Sequence, residues 1–285
     1  NYTILLITVL SLIGALIIKP KWYTLIIAVI ILIPGYLINS DSYLKSKHNV
    51  IVNNANSTIA VTDFGNERVL FMNGLPMSVY NKKTGTTAEY VNYINDNFVY
   101  NMPNDKRRDI LILGAGGFTV GLRDTYNNYF FVDIEKTLKD VSEKHFLNEQ
   151  LTSNKHFIVQ DASQYLKNND QQFDMILLDV YSNSYQVPED LITVEFMERI
   201  RARIKQDGIV IMNMITSPSF NDKYTRVFDN TFRTVFPNNT SSQIIGYSNP
   251  WVQNNSTNII YVHYNKENDG RVYTINKTPV VYDRF

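Results

Sequence analysis

Between residues 109 and 264 short apolar runs alternate with amphipathic ones, and that alternation constrains the fold more than any other feature of the chain. The runs "DILILG", "YFFVDI", "HFIVQD", "FDMILLD" and "GIVIMNMI" read as strands, as do the later "SQIIGYS" and "TNIIYVHY". Between them, "FTVGLRDTY", "EKTLKDVSEKHF", "ASQYLKNN", "LITVEFMERIRARIK" and "NDKYTRVFDNTFRTVF" carry helical spacing. Such alternation predicts an α/β fold: a mostly parallel sheet, helices on both faces, right-handed crossovers. Ligands bind such sheets at the carboxyl ends of the strands. The residues just after each apolar run are therefore the candidates for function.

The first run closes on "LILGAGGFT", with Gly114, Gly116 and Gly117. Glycines let the backbone pass close to a ligand, and a following helix N-terminus would offer unpaired amides. The loop has neither the Lys-Ser/Thr of a phosphate-binding loop nor the G-x-G-x-x-G dinucleotide spacing. The second run ends on Asp133 and Glu135 in "FFVDIEK". An acid about 20 positions past a glycine loop is where a nucleoside cofactor's ribose hydroxyls are held. The plain alternative is that Asp133 caps a helix and Glu135 favours its start. In "FIVQDASQYL", Asp161 either meets an adenine amine or caps the helix beginning at Ala162. The fourth run ends on Asp179, followed at once by the turn-rich "VYSNSYQVPEDL". A catalytic base, a cofactor ligand and a cap are its three readings. Taken in order, glycine loop, Asp133, Asp161 and Asp179 indicate a nucleoside-cofactor enzyme.

Composition mainly excludes. Lys+Arg and Asp+Glu balance at 27 each in the 285 residues, so no global field recruits nucleic acid, and none is expected as a partner. The absence of cysteine removes disulfides, thiolate metal sites and thiol nucleophiles. His48, His145, His156 and His263 show no ligand spacing, so no metal is expected.

Upstream the character changes. Residues 2–18 and 22–39 are two uncharged apolar spans, each about as long as the ~17–25 residues that cross a bilayer. Lys19, Lys21, Trp22 and Tyr23 lie between them like a turn with interfacial anchors. Residues 1–40 are thus expected to form a transmembrane hairpin. The opening on Asn1 inside an apolar run suits the end of a longer membrane domain. Residues 41–100 read as a linker, a small β domain with turns at "FGNE" and "MNG", and a connecting helix over "TTAEYVNYINDNFVY" that opens on a threonine cap. Residues 101–285 form the Rossmann-like nucleoside-cofactor domain.

On "RVLFMNGLPMS", "LILGAGGFT", "FVDIEK", "QDASQYL" and "LLDVYSNSYQVPEDLIT", the chain resembles the spermidine synthase family of polyamine aminopropyltransferases, in its membrane-fused bacterial form. The resemblance covers roughly residues 57–235. It implies a methyltransferase-like Rossmann domain behind a small β domain, and transfer of an aminopropyl group from decarboxylated S-adenosylmethionine to an amine. Gly114, Gly116 and Gly117 would then line the cofactor's methionine-derived part, Asp133 with Glu135 its ribose side, and Asp161 with Ala162 its adenine. Asp179 falls on the family's catalytic aspartate, the general base. Glu89, Tyr181 and Ser182 fall on the amine side, and Pro188 on the proline that shapes the site loop.

Departures from the family pattern are concentrated on that amine side. Gly117 stands where the usual G-G-G-D-G loop carries aspartate, and Asn92, Tyr93 and Ile94 replace a Tyr-His-Glu. A methyltransferase using ordinary S-adenosylmethionine and a non-catalytic nucleoside-binding membrane protein are the competing readings. The expected location is a multi-pass cell-membrane protein whose catalytic domain faces the cytoplasm, where the donor is made. A homodimer is compatible with the resemblance.

Overall fold

The computed structural model describes residues 6, 9–11, 13–14, 17, 22–38, 40–54, 57–103, 105–181, 187–246 and 256–267. The chain divides into two compact units: Asn1–Thr86 with Asp140–Glu149, and Thr87–Lys139 with Gln150–Phe285.

The first unit contains helices α1 (Trp22–Ile38) and α2 (Asp41–His48) and an antiparallel sheet. Its strands β1 (Val50–Asn53), β2 (Thr58–Phe64), β3 (Glu67–Met72) and β4 (Leu75–Asn81) lie in sequence order. The β3–β4 turn needs two consecutive left-handed residues, supplied by Asn73 (φ 52°) and Gly74 (φ 83°). Across β2–β3, Asp63 takes a 2.7 Å ion pair from Arg68 and a 2.8 Å pair from Lys82. The Arg68 hydrogen bond leads in lowering its carboxyl to about 2. The segment 140–149 brings Phe146, fully buried, edge-on to Tyr80 at 6.2 Å, and its carbonyl accepts from Arg68.

Helix α1 is the second of the two expected membrane spans. It has 17 residues, at the lower bound of the ~17–25 that cross a bilayer. Among the described residues no helix is long and apolar enough to cross a membrane. The first span, 2–18, lies largely outside the described residues. The expected transmembrane hairpin is therefore not supported. What α1 does show is exposed apolar surface, including Ile26, Ile30, Ile33 and Leu37.

The second unit carries a seven-stranded sheet of β5 (Asp109–Leu113), β6 (Asn128–Asp133), β7 (Lys155–Val159), β8 (Phe173–Leu178), β9 (Ile204–Thr216), β10 (Thr240–Ile245) and β11 (Thr257–Tyr264). The order is β10-β11-β9-β8-β5-β6-β7. Four pairings, β5–β6, β6–β7, β5–β8 and β8–β9, are parallel, while β9–β11 and β10–β11 are antiparallel. This is a methyltransferase-like Rossmann sheet, mixed rather than wholly parallel. β8 is buried at every position, as a central strand covered on both faces must be. Chain order reverses between β5 and β8, so the switch point lies between the glycine loop and Asp179.

The helices follow their spacing with two exceptions. α3 (Glu89–Ile94) runs on as a π turn, Asn95–Val99; α5 (Ala162–Asn168), α6 (Val194–Arg203) and α7 (Lys223–Val235) form where expected. Phe196, Met197, Phe228 and Phe232 of α6 and α7 join Ile176 and Met212 of the sheet in one core. The segment "EKTLKDVSEKHF" is helical only from Leu138, as one α turn, α4 (Leu138–Val141), passing into a π turn, Ser142–Phe146.

The larger difference is "FTVGLRDTY", expected as a helix and found as a series of turns. Phe118 (φ 60°) and Gly121 (φ 63°) are both left-handed, which no α-helix accommodates. Phe118 buries its ring 4.9 Å from Phe131, and Gly121 lies flat against Tyr129. The glycine loop is therefore not followed by a helix N-terminus. A Cβ at residue 121 would stand 2.2 Å from the buried Tyr129 ring. Gly121→Ala is expected to lose about 2 kcal/mol or more, read as a lower urea midpoint.

Candidate active site

All four strand ends singled out in the sequence lie on one edge of the second unit's sheet, in the spatial order β8, β5, β6, β7. Asp179 continues β8, its amide donating to the Leu113 carbonyl at 2.9 Å. Its Oδ2 accepts from the Tyr90 hydroxyl and its Oδ1 from Asn213 Nδ2, each at 2.9 Å. Among the described residues no cation holds this carboxylate in place. Burial raises its pKa above the ordinary carboxylate range, and the two neutral donors only partly offset that. Tyr90 keeps its proton: burial, then the Asp179 charge, pushes the phenol well above its usual value.

Gly114 is shaped by the same corner. It sits at φ +99°, and a Cβ there would lie 2.3 Å from the Asp179 carbonyl oxygen. This glycine is thus required by backbone packing between the two strand ends, independently of any ligand. Gly116 is also left-handed (φ 50°), and Gly117 follows it in the turn. Asn95, 3% exposed in the π turn after α3, anchors the segment beyond the loop. Its Oδ1 accepts from Gly121 N at 2.8 Å and its Nδ2 donates to the Thr119 carbonyl at 3.1 Å.

Asp133 closes β6 half-buried. Its Oδ2 accepts from Ala115 N (3.0 Å) and its Oδ1 from Glu135 N (2.9 Å), stapling the glycine loop to the β6 end. Burial raises its pKa, the backbone bonds opposing. Each oxygen retains acceptor capacity. Ile134 beside it is 71% exposed, an apolar face next to a carboxylate at the ligand edge. Glu135 is turned inward, buried, with Oε1 accepting from Thr137 N (3.0 Å) and Thr137 Oγ1 (2.6 Å), so it organises the turn into α4.

Asp161 is the cap of α5: Oδ1 accepts from Gln164 N at 2.9 Å and the backbone is extended. Ala162 packs in the core. Asp161→Ala is expected to cost about 1 kcal/mol, seen as a modest fall in melting temperature. Glu89 is exposed at the start of α3, and its carboxylate approaches Gly246 closely enough that a Cβ there would lie 3.1 Å from Oε2. Tyr181 donates its hydroxyl to the Asn213 carbonyl at 2.8 Å, tying the Asp179 loop to β9. Ser182, with Asn183, lies outside the described residues. The positions that depart from the family pattern do structural work: Asn92 exchanges hydrogen bonds with Thr87 (Thr87 N to Oδ1 3.0 Å, Nδ2 to Thr87 O 2.9 Å), and Ile94 is buried. This side-chain exchange replaces the expected threonine cap of the helix, because the residue in the N-cap position, Ala88, has no side chain that can cap.

Two side-chain neighbours of Asp179 escaped the sequence reading. Tyr90 sits within "AEYVNYI", but nothing in a single sequence connects residue 90 with residue 179. Asn213 did leave a signal, as the one amide inside the apolar run "IVIMNMI". A buried amide in a central strand must be hydrogen-bonded, and its partners matter. Among the described residues no group of three or more His, Asp or Glu is placed to hold a metal ion.

The spermine/spermidine synthase domain model matches residues 97–266. The chain belongs to that family. A polyamine aminopropyltransferase of Vibrio vulnificus is 28% identical over 153 residues, covering 50% of this chain and 50% of that one. Polyamine aminopropyltransferase 2 of Pseudomonas aeruginosa is 23% identical over 145 residues, 47% of this chain and 41% of its own. The chain thus spans about half the length or less of these curated relatives. Among solved structures, a probable spermidine synthase from Corynebacterium glutamicum superposes with a TM-score of 0.61 at 18% identity, over 81% of this chain and 84% of its own. A spermidine synthase bound to the transition-state analogue AdoDATO gives 0.55 at 15% identity, over 76% and 72%. At these identities the superpositions show the spermidine synthase fold.

Proposed function

We propose that this spermidine synthase-family chain is an alkyl transferase that moves an aminopropyl group from decarboxylated S-adenosylmethionine to an amine, with Asp179 as general base. The observation that carries the reading is the Asp179 carboxylate, raised in pKa and held by the neutral donors of Tyr90 and Asn213, at the switch point beside the glycine loop. Asp133, with spare acceptor capacity beside the exposed Ile134, is the group suited to ribose hydroxyls and an adjoining adenine face. With an aminergic pKa near ~10, about one acceptor molecule in a thousand is a free base at pH 7, a handicap of roughly 4 kcal/mol. Asp179 takes the ammonium proton, the amine nitrogen bonds to the carbon next to sulfur, and the carbon–sulfur bond breaks with its electron pair left on sulfur. The sulfonium becomes a neutral thioether, so the atoms and charges balance without a metal.

Incubating the full chain with decarboxylated and ordinary sulfonium donors and a panel of amines tests this. Aminopropylated product from the decarboxylated donor alone is the expected result. Methyl transfer from the ordinary donor would replace this reading with a methyltransferase, and failure to bind either donor would end it. The apolar N-terminal segment is proposed to hold the chain at a bilayer with the second unit on the cytoplasmic side, supported by the exposed apolar side chains of α1. The full chain should float with phosphatidylcholine vesicles, and a chain lacking residues 1–40 should not.

A further inference from the structure

We infer that Asn258 and Asn213 form an amide relay that positions Asp179, a role resting on the proposed base but going beyond it. Asn213 lies on β9, 1% exposed, and Asn258 on the neighbouring antiparallel strand β11. Asn258 Nδ2 donates to Asn213 Oδ1 at 2.9 Å, and Asn213 Nδ2 donates to Asp179 Oδ1 at 2.9 Å. A primary amide can present either its oxygen or its nitrogen to a neighbour. The carboxylate can only accept, so it meets the Asn213 nitrogen, and the Asn213 oxygen then takes the Asn258 donor, which tethers the amide in that orientation from β11. The Tyr181 hydroxyl fixes the backbone at the same residue, donating to the Asn213 carbonyl at 2.8 Å. The base is thus oriented from a strand two places away, by dipoles that add no charge. A lysine or arginine at residue 213 would hold Asp179 as firmly but make it a far weaker base. Asn213 and Asn258 are positioning residues; only Asp179 exchanges the proton.

The relay has a signature that a purely structural amide pair lacks. Asn213→Leu removes one donor from Asp179, so the carboxyl should titrate about one pH unit higher, and the rising limb of kcat against pH should move up with it. Asn258→Asp is nearly isosteric, yet it puts an acceptor where Asn213 needs a donor and turns the amide oxygen toward Asp179. It should therefore lower kcat more than Asn258→Leu, with KM for the amine changed less than kcat. Carboxyl-carbon NMR of Asp179, assigned by its absence in Asp179→Asn, follows the titration without any turnover. In the unmutated chain the Asn213 side-chain amide should shift with the same midpoint as Asp179. A shifted Asp179 titration in a chain that transfers nothing from any sulfonium donor keeps the relay and removes the proposed reaction. An Asn213 amide indifferent to pH in the unmutated chain, or an Asp179 midpoint unmoved in folded Asn213→Leu and Asn258→Asp, overturns the relay whatever the turnover.

Discussion

Asp179→Asn is expected to lower aminopropyl transfer by ~10²- to 10⁴-fold, the usual worth of a positioned general base, while leaving donor binding in place. The same substitution should stabilise the fold at neutral pH. Asp179 has its folded pKa raised by burial, so the folded state keeps this proton after the unfolded chain, at ~3.9, has released it. Stability from this group is then fully present below about pH 4 and lost as pH rises toward the folded value. Asparagine escapes that loss, since Asn213 can still donate to its oxygen and the Tyr90 hydroxyl can turn to accept from its nitrogen. Melting temperatures of the two chains should coincide near pH 4 and separate at pH 8, with the variant higher. A variant less stable at pH 8 would show that the carboxylate is a structural element rather than a base held against its preference.

Gly114→Ala is expected to be the most damaging small substitution on the ligand edge. Residue 114 combines φ +99° with a Cβ position 2.3 Å from the Asp179 carbonyl oxygen, and that oxygen is backbone in the loop after a fully buried strand. A left-handed alanine costs ~1–3 kcal/mol and forced overpacking a similar amount, so the loss should be at least about 2 kcal/mol. Any relief must push Asp179 out of line with Tyr90 and Asn213. Chemical unfolding should show the lost stability, and turnover of the surviving folded fraction should fall as well. Full stability with donor binding lost would instead make Gly114 a ligand contact alone.

Much of the second unit was legible because hydrophobic runs and the turn residues that bound them are local signals. Buried runs such as "DMILL" leave little choice but a central strand, and the cap at Asp161 before "ASQYL" was one of the two readings its position offered. The spans at 2–18 and 22–39 were read from their apolar length and the anchors between them, whereas among the described residues no helix is long and apolar enough to cross a membrane. The helix expected after the glycine loop failed for a different reason. Its composition is neutral, and buried contacts of Phe118 with Phe131 and of Gly121 with Tyr129 outweigh a weak local preference.

The sequence by itself determined that four strands would end, in order, on a glycine loop and three aspartates, because hydrophobic runs and capping chemistry are local properties. Only the tertiary structure decided what surrounds each aspartate. Asp161 spends an oxygen on its own helix and Asp133 both oxygens on backbone amides, whereas half-buried Asp179 is held by two neutral side-chain donors from α3 and β9. A carboxylate's basicity is set by how it is desolvated and which dipoles face it, and residues 90, 179, 213 and 258 acquire that relation only when the sheet brings them together.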